Sequence, residues 1–165
     1  SYERLLESIR HRIPEVALRT TFIVGFPGET DEDFRELCDF IEDVRFDHIG
    51  VFTYSHEEGT RAFALTDDVS SDTKARRRQE LMLRQRKIVE RRQAERVGQK
   101  VRVLVEGRSK EHPLVVQARW AGQAPEIDPV TYLTECDPSQ FAPGRLVDAE
   151  ILGGHDYDLL ARPLP

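Results

Sequence analysis

The hydrophobic period of this chain changes once, and that change limits the folds open to it. Up to about residue 96, apolar residues recur at helical spacing or gather in short β-branched runs. From Val97 they alternate. In "KVRVLVEG", Val101, Val103 and Val105 oppose Arg102 and Glu106. The first part predicts a helix closing at Ile13 and Pro14, then a strand in Val16 to Phe26. An amphipathic helix carrying Phe34, Leu37, Cys38, Ile41 and Val44 follows, then a second strand in His48 to Ser55. Helix, strand, helix, strand implies a parallel α/β unit with right-handed crossovers, too short to close a barrel by itself. A loop, "SHEEGTRAFALTDDVSS", leads to a long helix over 72–96 with Gly98 as its cap. "LVVQARW", "PVTYLTE", "RLVDAEILGG" and "YDLLARP" then predict short strands between Gly and Pro, which suits a small β-barrel. The expected class is α/β followed by all-β, with domains over 1–96 and 97–165.

A chain of 165 residues, 39% hydrophobic and 33% charged, is long enough to bury a core. No apolar run reaches the roughly 20 residues of a membrane span, so no membrane partner is expected. The charged N-terminus is no signal peptide. It lacks Met and begins in mid-helix, so the chain is expected to be part of a longer one. Cys38 and Cys136 lie far apart, and no Cys or His spacing predicts a metal site. The cytoplasm is the expected compartment. The net charge of −6 conceals a division: residues 1–72 carry 7 basic and 17 acidic side chains, 73–97 carry 10 and 3, and 98–165 carry 7 and 10.

The stretch "IVGFPGETDEDF" joins the first strand to the second helix. Gly25 and Gly28 permit positive φ or close backbone approach, and Pro27 stiffens the turn. Thr30 is the expected N-cap with Asp33 completing a capping box, and Asp31, Glu32 and Asp33 complement the helix dipole. Parallel α/β folds place ligands at the carboxyl ends of their strands. The acids disfavour phosphate there and favour an amine, a hydroxyl pair or an adenine edge. A well-capped βα turn that binds nothing has the same spacing, and the stretch alone leaves both open.

"FIVGFPGET" with its acids and helix, "GVFTYSHEEGT", "D-V-x-x-D-x-K", a basic helix and a β-rich end together resemble the radical S-adenosylmethionine methylthiotransferases. "GRSKEHP", "APEIDPVTYL" and "DYDLLA" are similar to the branch that modifies ribosomal protein S twelve. The resemblance implies the last part of a partial TIM-like barrel and then an antiparallel, OB-like TRAM barrel. It implies S-adenosylmethionine against Thr21, Ile23, Gly25 and Gly28, with Val51 and Phe52 flanking the adenine. Ser55, Glu57 and Glu58 would face the substrate. Two 4Fe-4S clusters are implied as well, ligated outside this chain. Its Cys-x-x-x-Cys-x-x-Cys motif and the three cysteines of the second cluster do not occur here, so no catalytic residue and no metal ligand is expected within it. The implied reaction is methylthiolation of the β-carbon of an aspartate in ribosomal protein S twelve, by itself or on the small ribosomal subunit.

Asp148 and Glu150 alternate with Val147, Ala149 and Ile151 and are expected on the outer face of a strand, with Asp156 and Asp158 beyond. An acidic face suits a basic protein and repels tRNA; the same acids also serve solubility. The basic helix either approaches RNA or pairs with the acidic first segment. A tRNA methylthiotransferase of the same family and a non-catalytic ribosome- or RNA-binding module are the competing assignments.

Overall fold

The computed structural model describes residues 2–165; Ser1, at the head of the first expected helix, lies outside the described residues. The chain divides into two compact units, Ser1–Ile88 and Val89–Pro165.

The first unit contains α1 (Tyr2–Arg12), β1 (Arg19–Val24), α2 (Asp31–Val44) and β2 (His48–Thr53). β1 and β2 pair in parallel, with Thr21 beside Gly50 and Ile23 beside Phe52. Val24, Phe34, Cys38, Ile41, Phe46 and Val51 form the core with Leu81 and Ile88 of α3 (Ser71–Arg96). α2 buries one stripe because Phe34, Cys38 and Ile41 recur every three to four residues. Its N-terminus has the expected capping box: the Thr30 hydroxyl accepts from the Asp33 N–H, and the Asp33 carboxylate accepts from the Thr30 N–H. At the other end Arg45 is left-handed, and Arg10 of α1 donates to the carbonyls of Val44 and Arg45. These bonds close carbonyls that no helical N–H reaches. Buried Asp47 accepts from the Leu18 N–H, and buried Gln85 donates to the Phe46 carbonyl. The loop after β2 holds a 3₁₀ turn, Arg61–Ala64.

The second unit is a closed barrel of β3 (Lys100–Arg108), β4 (Val116–Trp120), β5 (Thr131–Leu133), β6 (Leu146–His155) and β7 (Asp158–Pro163), in the order β3-β4-β5-β7-β6. Every seam is antiparallel except β5–β7, which is parallel. Bulges between Val105 and Gly107 and between Ile151 and Gly153 bend β3 and β6, as closing a small barrel requires. Val103, Val105, Val116, Ala118, Leu133, Ala149 and Ala161 fill the interior. Closure leaves no unpaired sheet edge.

The Asp33 carboxyl is held below its usual range by hydrogen bonds from the Thr30 hydroxyl and N–H. A lowered folded pKa contributes stability above the unfolded value of about 3.9, and that contribution vanishes as pH falls through the folded one. Asp33→Asn is therefore expected to be less stable than wild type at pH 7 and to converge with it as the carboxyl protonates in acid. Urea unfolding across that range checks the convergence; a constant gap would contradict it.

Candidate ligand face and strand-end loop

Alternation along β1 and β2 sends Phe22, Val24 and Val51 into the core and Thr21, Ile23 and Phe52 to the other face. Ile23 is 57% exposed and Phe52 61%, whereas Val51 is 4% exposed. Gly50 lies on the exposed face: a Cβ there would sit 3.4 Å from the Thr21 hydroxyl and 3.5 Å from the Phe52 ring. The result is an open apolar strip on a parallel pair, a sheet type normally covered on both faces. Of the residues expected around a cofactor, Thr21, Ile23 and Phe52 share this strip. Val51 lies behind it, and Gly25 and Gly28 belong to the turn at its end.

That turn is held by carboxylates. Gly25 has φ +74° and Gly28 φ +83°. The Gly25 N–H donates to Glu29 Oε1 at 2.9 Å and the Gly28 N–H to Asp68 Oδ1 at 2.8 Å. Arg77 of α3, its side chain 4% exposed, donates to Glu29 at 2.6 Å and to Asp31 at 2.8 Å and lies over the Phe34 ring. Its hydrogen bond holds the Asp31 carboxyl below the usual range. Carboxylates thus occupy the turn's glycine N–H groups, and these are poor company for a phosphate.

Beyond β2 the rings of Phe26, Tyr54, His56 and Phe63 touch in series, with centroids 5.3, 6.2 and 4.6 Å apart. Lys74 reaches Asp67 at 2.7 Å with its ammonium 5.0 Å from the Tyr54 ring centre. Ser55 donates to Glu57 Oε1. Sequence reasoning missed Gly50, Tyr54, Lys74, Asp67 and Asp68 as parts of this end. Gly50 was recoverable from strand alternation once a register was assumed; the carboxylate contacts were not, because they join residues up to 40 apart.

In the barrel the four acids set against RNA each have company. Asp148 pairs with Arg102 at 2.9 Å and Glu150 with Arg162 at 2.9 Å. Asp158 accepts from the Val130 N–H, and Asp156, left-handed, lies 3.7 Å from His155. Arg102 holds the Asp148 carboxyl below its usual range. Charge on this face is therefore far less one-sided than the sequence suggests. On α3, Lys74, Arg76, Arg77 and Arg84 all meet carboxylates of the acidic segment, the pairing that competed with RNA contact.

Cys38 is buried and Cys136 half-buried, and burial pushes both thiols up. An iron–sulfur cluster takes about four thiolates, so these two do not fit one. Among the described residues, no three His, Cys, Asp or Glu side chains are grouped to hold a metal ion, and no helix is long and apolar enough to cross a membrane.

Residues 97–164 match the TRAM domain family. The chain is 44% identical over 160 residues to the ribosomal protein uS12 methylthiotransferase RimO of Koribacter versatilis, covering 96% of this chain and 32% of that one. It is 44% identical over 161 residues to RimO of Sorangium cellulosum (98% and 32%) and 47% over 157 residues to RimO of Solibacter usitatus (95% and 34%). The chain spans about a third of the length of the curated relatives it matches.

Proposed function

We propose, from the premise that this chain belongs to the RimO methylthiotransferase family, that it forms one wall of the reaction cavity together with a TRAM substrate-binding barrel. The whole enzyme would methylthiolate the β-carbon of an aspartate in ribosomal protein uS12. The observation that carries this is the open strip of Thr21, Ile23, Gly50 and Phe52, which lies on the exposed face of a parallel strand pair in a chain whose relatives match it almost from end to end.

The strip fits the adenosine part of S-adenosylmethionine, for it is flat, apolar and lacks a side chain at Gly50. Thr21, Ile23 and Phe52 would hold it, and Gly25 and Gly28 would shape its edge. When bound, this cofactor supplies the deoxyadenosyl radical that removes hydrogen from the target carbon. The strip's own work is to exclude water and orient the ligand. Hydrogen abstraction demands near-contact between the reacting carbons, so orientation contributes directly to rate. Clusters of the 4Fe-4S type belong to residues outside this chain, and no step here runs through one. Ser55, Glu57 and Glu58 stand at the mouth of the strip as the substrate-facing residues. Asp148, Glu150, Asp156 and Asp158 would contribute to docking only with their arginine and backbone partners in place. The cytoplasm, where ribosomes work, is the proposed compartment, and RNA proximity along α3 is secondary to its carboxylate pairing.

Filling Gly50 tests the strip. Gly50→Leu in the full-length protein is expected to weaken S-adenosylmethionine binding at least about tenfold, because about 1.4 kcal/mol of lost contact suffices for that. Calorimetric titration measures it. Unchanged affinity in a folded variant would remove the strip from the cofactor site.

A further inference from the structure

Tyr54 and His56 are hydrogen-bonded to each other. The phenol oxygen lies 3.2 Å from His56 Nδ1 and 3.4 Å from the Ala62 carbonyl. A carbonyl only accepts, so when the hydroxyl proton goes to Ala62 the phenol oxygen accepts from Nδ1–H. In that tautomer Nε2 of His56 is the free acceptor of the ring. The imidazole also stacks on Phe63, centroids 4.6 Å apart and planes tilted 32°, and Phe63 remains 42% exposed. The next two residues are exposed carboxylates. Glu57 accepts from the Ser55 hydroxyl, and among the described residues Glu58 has no side-chain partner. Among the described residues Arg61, the loop's own cation, forms no ion pair, and Lys74 is committed to Asp67. Ring face, ring nitrogen and two carboxylates thus lie together on one loop, beside a single cation of that loop, Arg61.

We infer that the loop from Ser55 to Phe63 receives a lysine or arginine side chain of the substrate protein. The inference rests on uS12 being that substrate, since ribosomal proteins are basic by virtue of packing on RNA phosphate. A cation over the Phe63 face gains from the ring quadrupole, donates to His56 Nε2 and is neutralised by Glu57 and Glu58. The chain already sets a cation between a ring and a carboxylate, where Lys74 meets the Tyr54 ring and the Asp67 carboxylate. The loop would therefore set which stretch of a basic substrate is presented to the strip.

The test measures binding of two fluorescein-labelled uS12 peptides to the full-length enzyme. One is native in sequence and includes the aspartate; the other carries citrulline for arginine and acetyl-lysine for lysine. Wild type is expected to bind the native peptide about tenfold more tightly at low salt. Glu58→Gln and Phe63→Leu should each reduce that preference to about threefold and leave the neutral peptide unchanged. Among the described residues Glu58 has no side-chain partner, so its variant keeps the fold. Equal weakening of both peptides, or no change in either, overturns the inference. Methylthio transfer is scored by mass in the same preparations: charge-dependent binding without transfer would count against the proposed reaction alone and leave the cation site supported.

Discussion

Arg77→Met is expected to cost about 3 kcal/mol or more of stability, because it leaves the Glu29 carboxylate without its cation in a nearly dry position. Glu29 keeps only 12% of its side chain exposed, and its other partner is the Gly25 N–H. The contact to Asp31 adds little, since Asp31 is 78% exposed and water screens it. The diagnostic comparison is the double variant. Glu29→Gln with Arg77→Met removes both charges and should cost less than Arg77→Met alone. Urea unfolding of the three proteins decides it; a double variant as unstable as the sum would show that packing of the Arg77 stem over Phe34, not charge, holds the turn to α3.

Gly25→Ala is expected to destabilise by about 3 kcal/mol, from two sources that add. A left-handed backbone costs a non-glycine residue roughly 1–2 kcal/mol. The new methyl would also collide with the Lys74 stem, and overpacking costs roughly 1–3 kcal/mol. Lys74 cannot simply swing aside, because its ammonium is held by both Asp67 oxygens. Gly28 provides the control. Its φ is +83°, yet nothing lies within 4 Å of a Cβ there, so Gly28→Ala should cost only the backbone part, about 1 kcal/mol. Adding Lys74→Ala to Gly25→Ala should recover the overpacking part. Thermal unfolding of the three variants beside wild type separates the two; equal losses at Gly25 and Gly28 would refute the collision.

Periodicity made the elements legible. The stripe of Phe34, Cys38 and Ile41 places α2, and the alternation of Val103 and Val105 places β3, because burial repeats with the geometry of the element. The capping box was legible for the same reason: Thr30 and Asp33 interact across three residues. Strand ends were not. β1 spans Arg19–Val24 within the longer apolar run, since pairing stops where β2 stops. The parallel β5–β7 seam was also hidden, because alternation fixes which face is buried and not the direction of a neighbour. At the site, Thr21, Ile23 and Phe52 were named from resemblance, and strand alternation places the three on one face. Val51 was placed beside Phe52 by resemblance, and adjacent strand residues cannot share a face. The count of acids in the barrel did not reveal their partners. Their arginine partners lie 12 and 46 positions away, and only the barrel's register brings Arg162 to Glu150 and Arg102 to Asp148.

The proposed function has this strip and barrel serve a reaction on protein rather than on RNA. The direct measurement reconstitutes the full-length enzyme anaerobically with S-adenosylmethionine and offers it uS12 and tRNA in one reaction. Mass spectrometry of each substrate then locates the methylthio group. The expected result is a methylthio gain on one aspartate of uS12 and none on tRNA. A gain on tRNA with uS12 unmodified would contradict the account and assign the chain to the RNA-modifying branch.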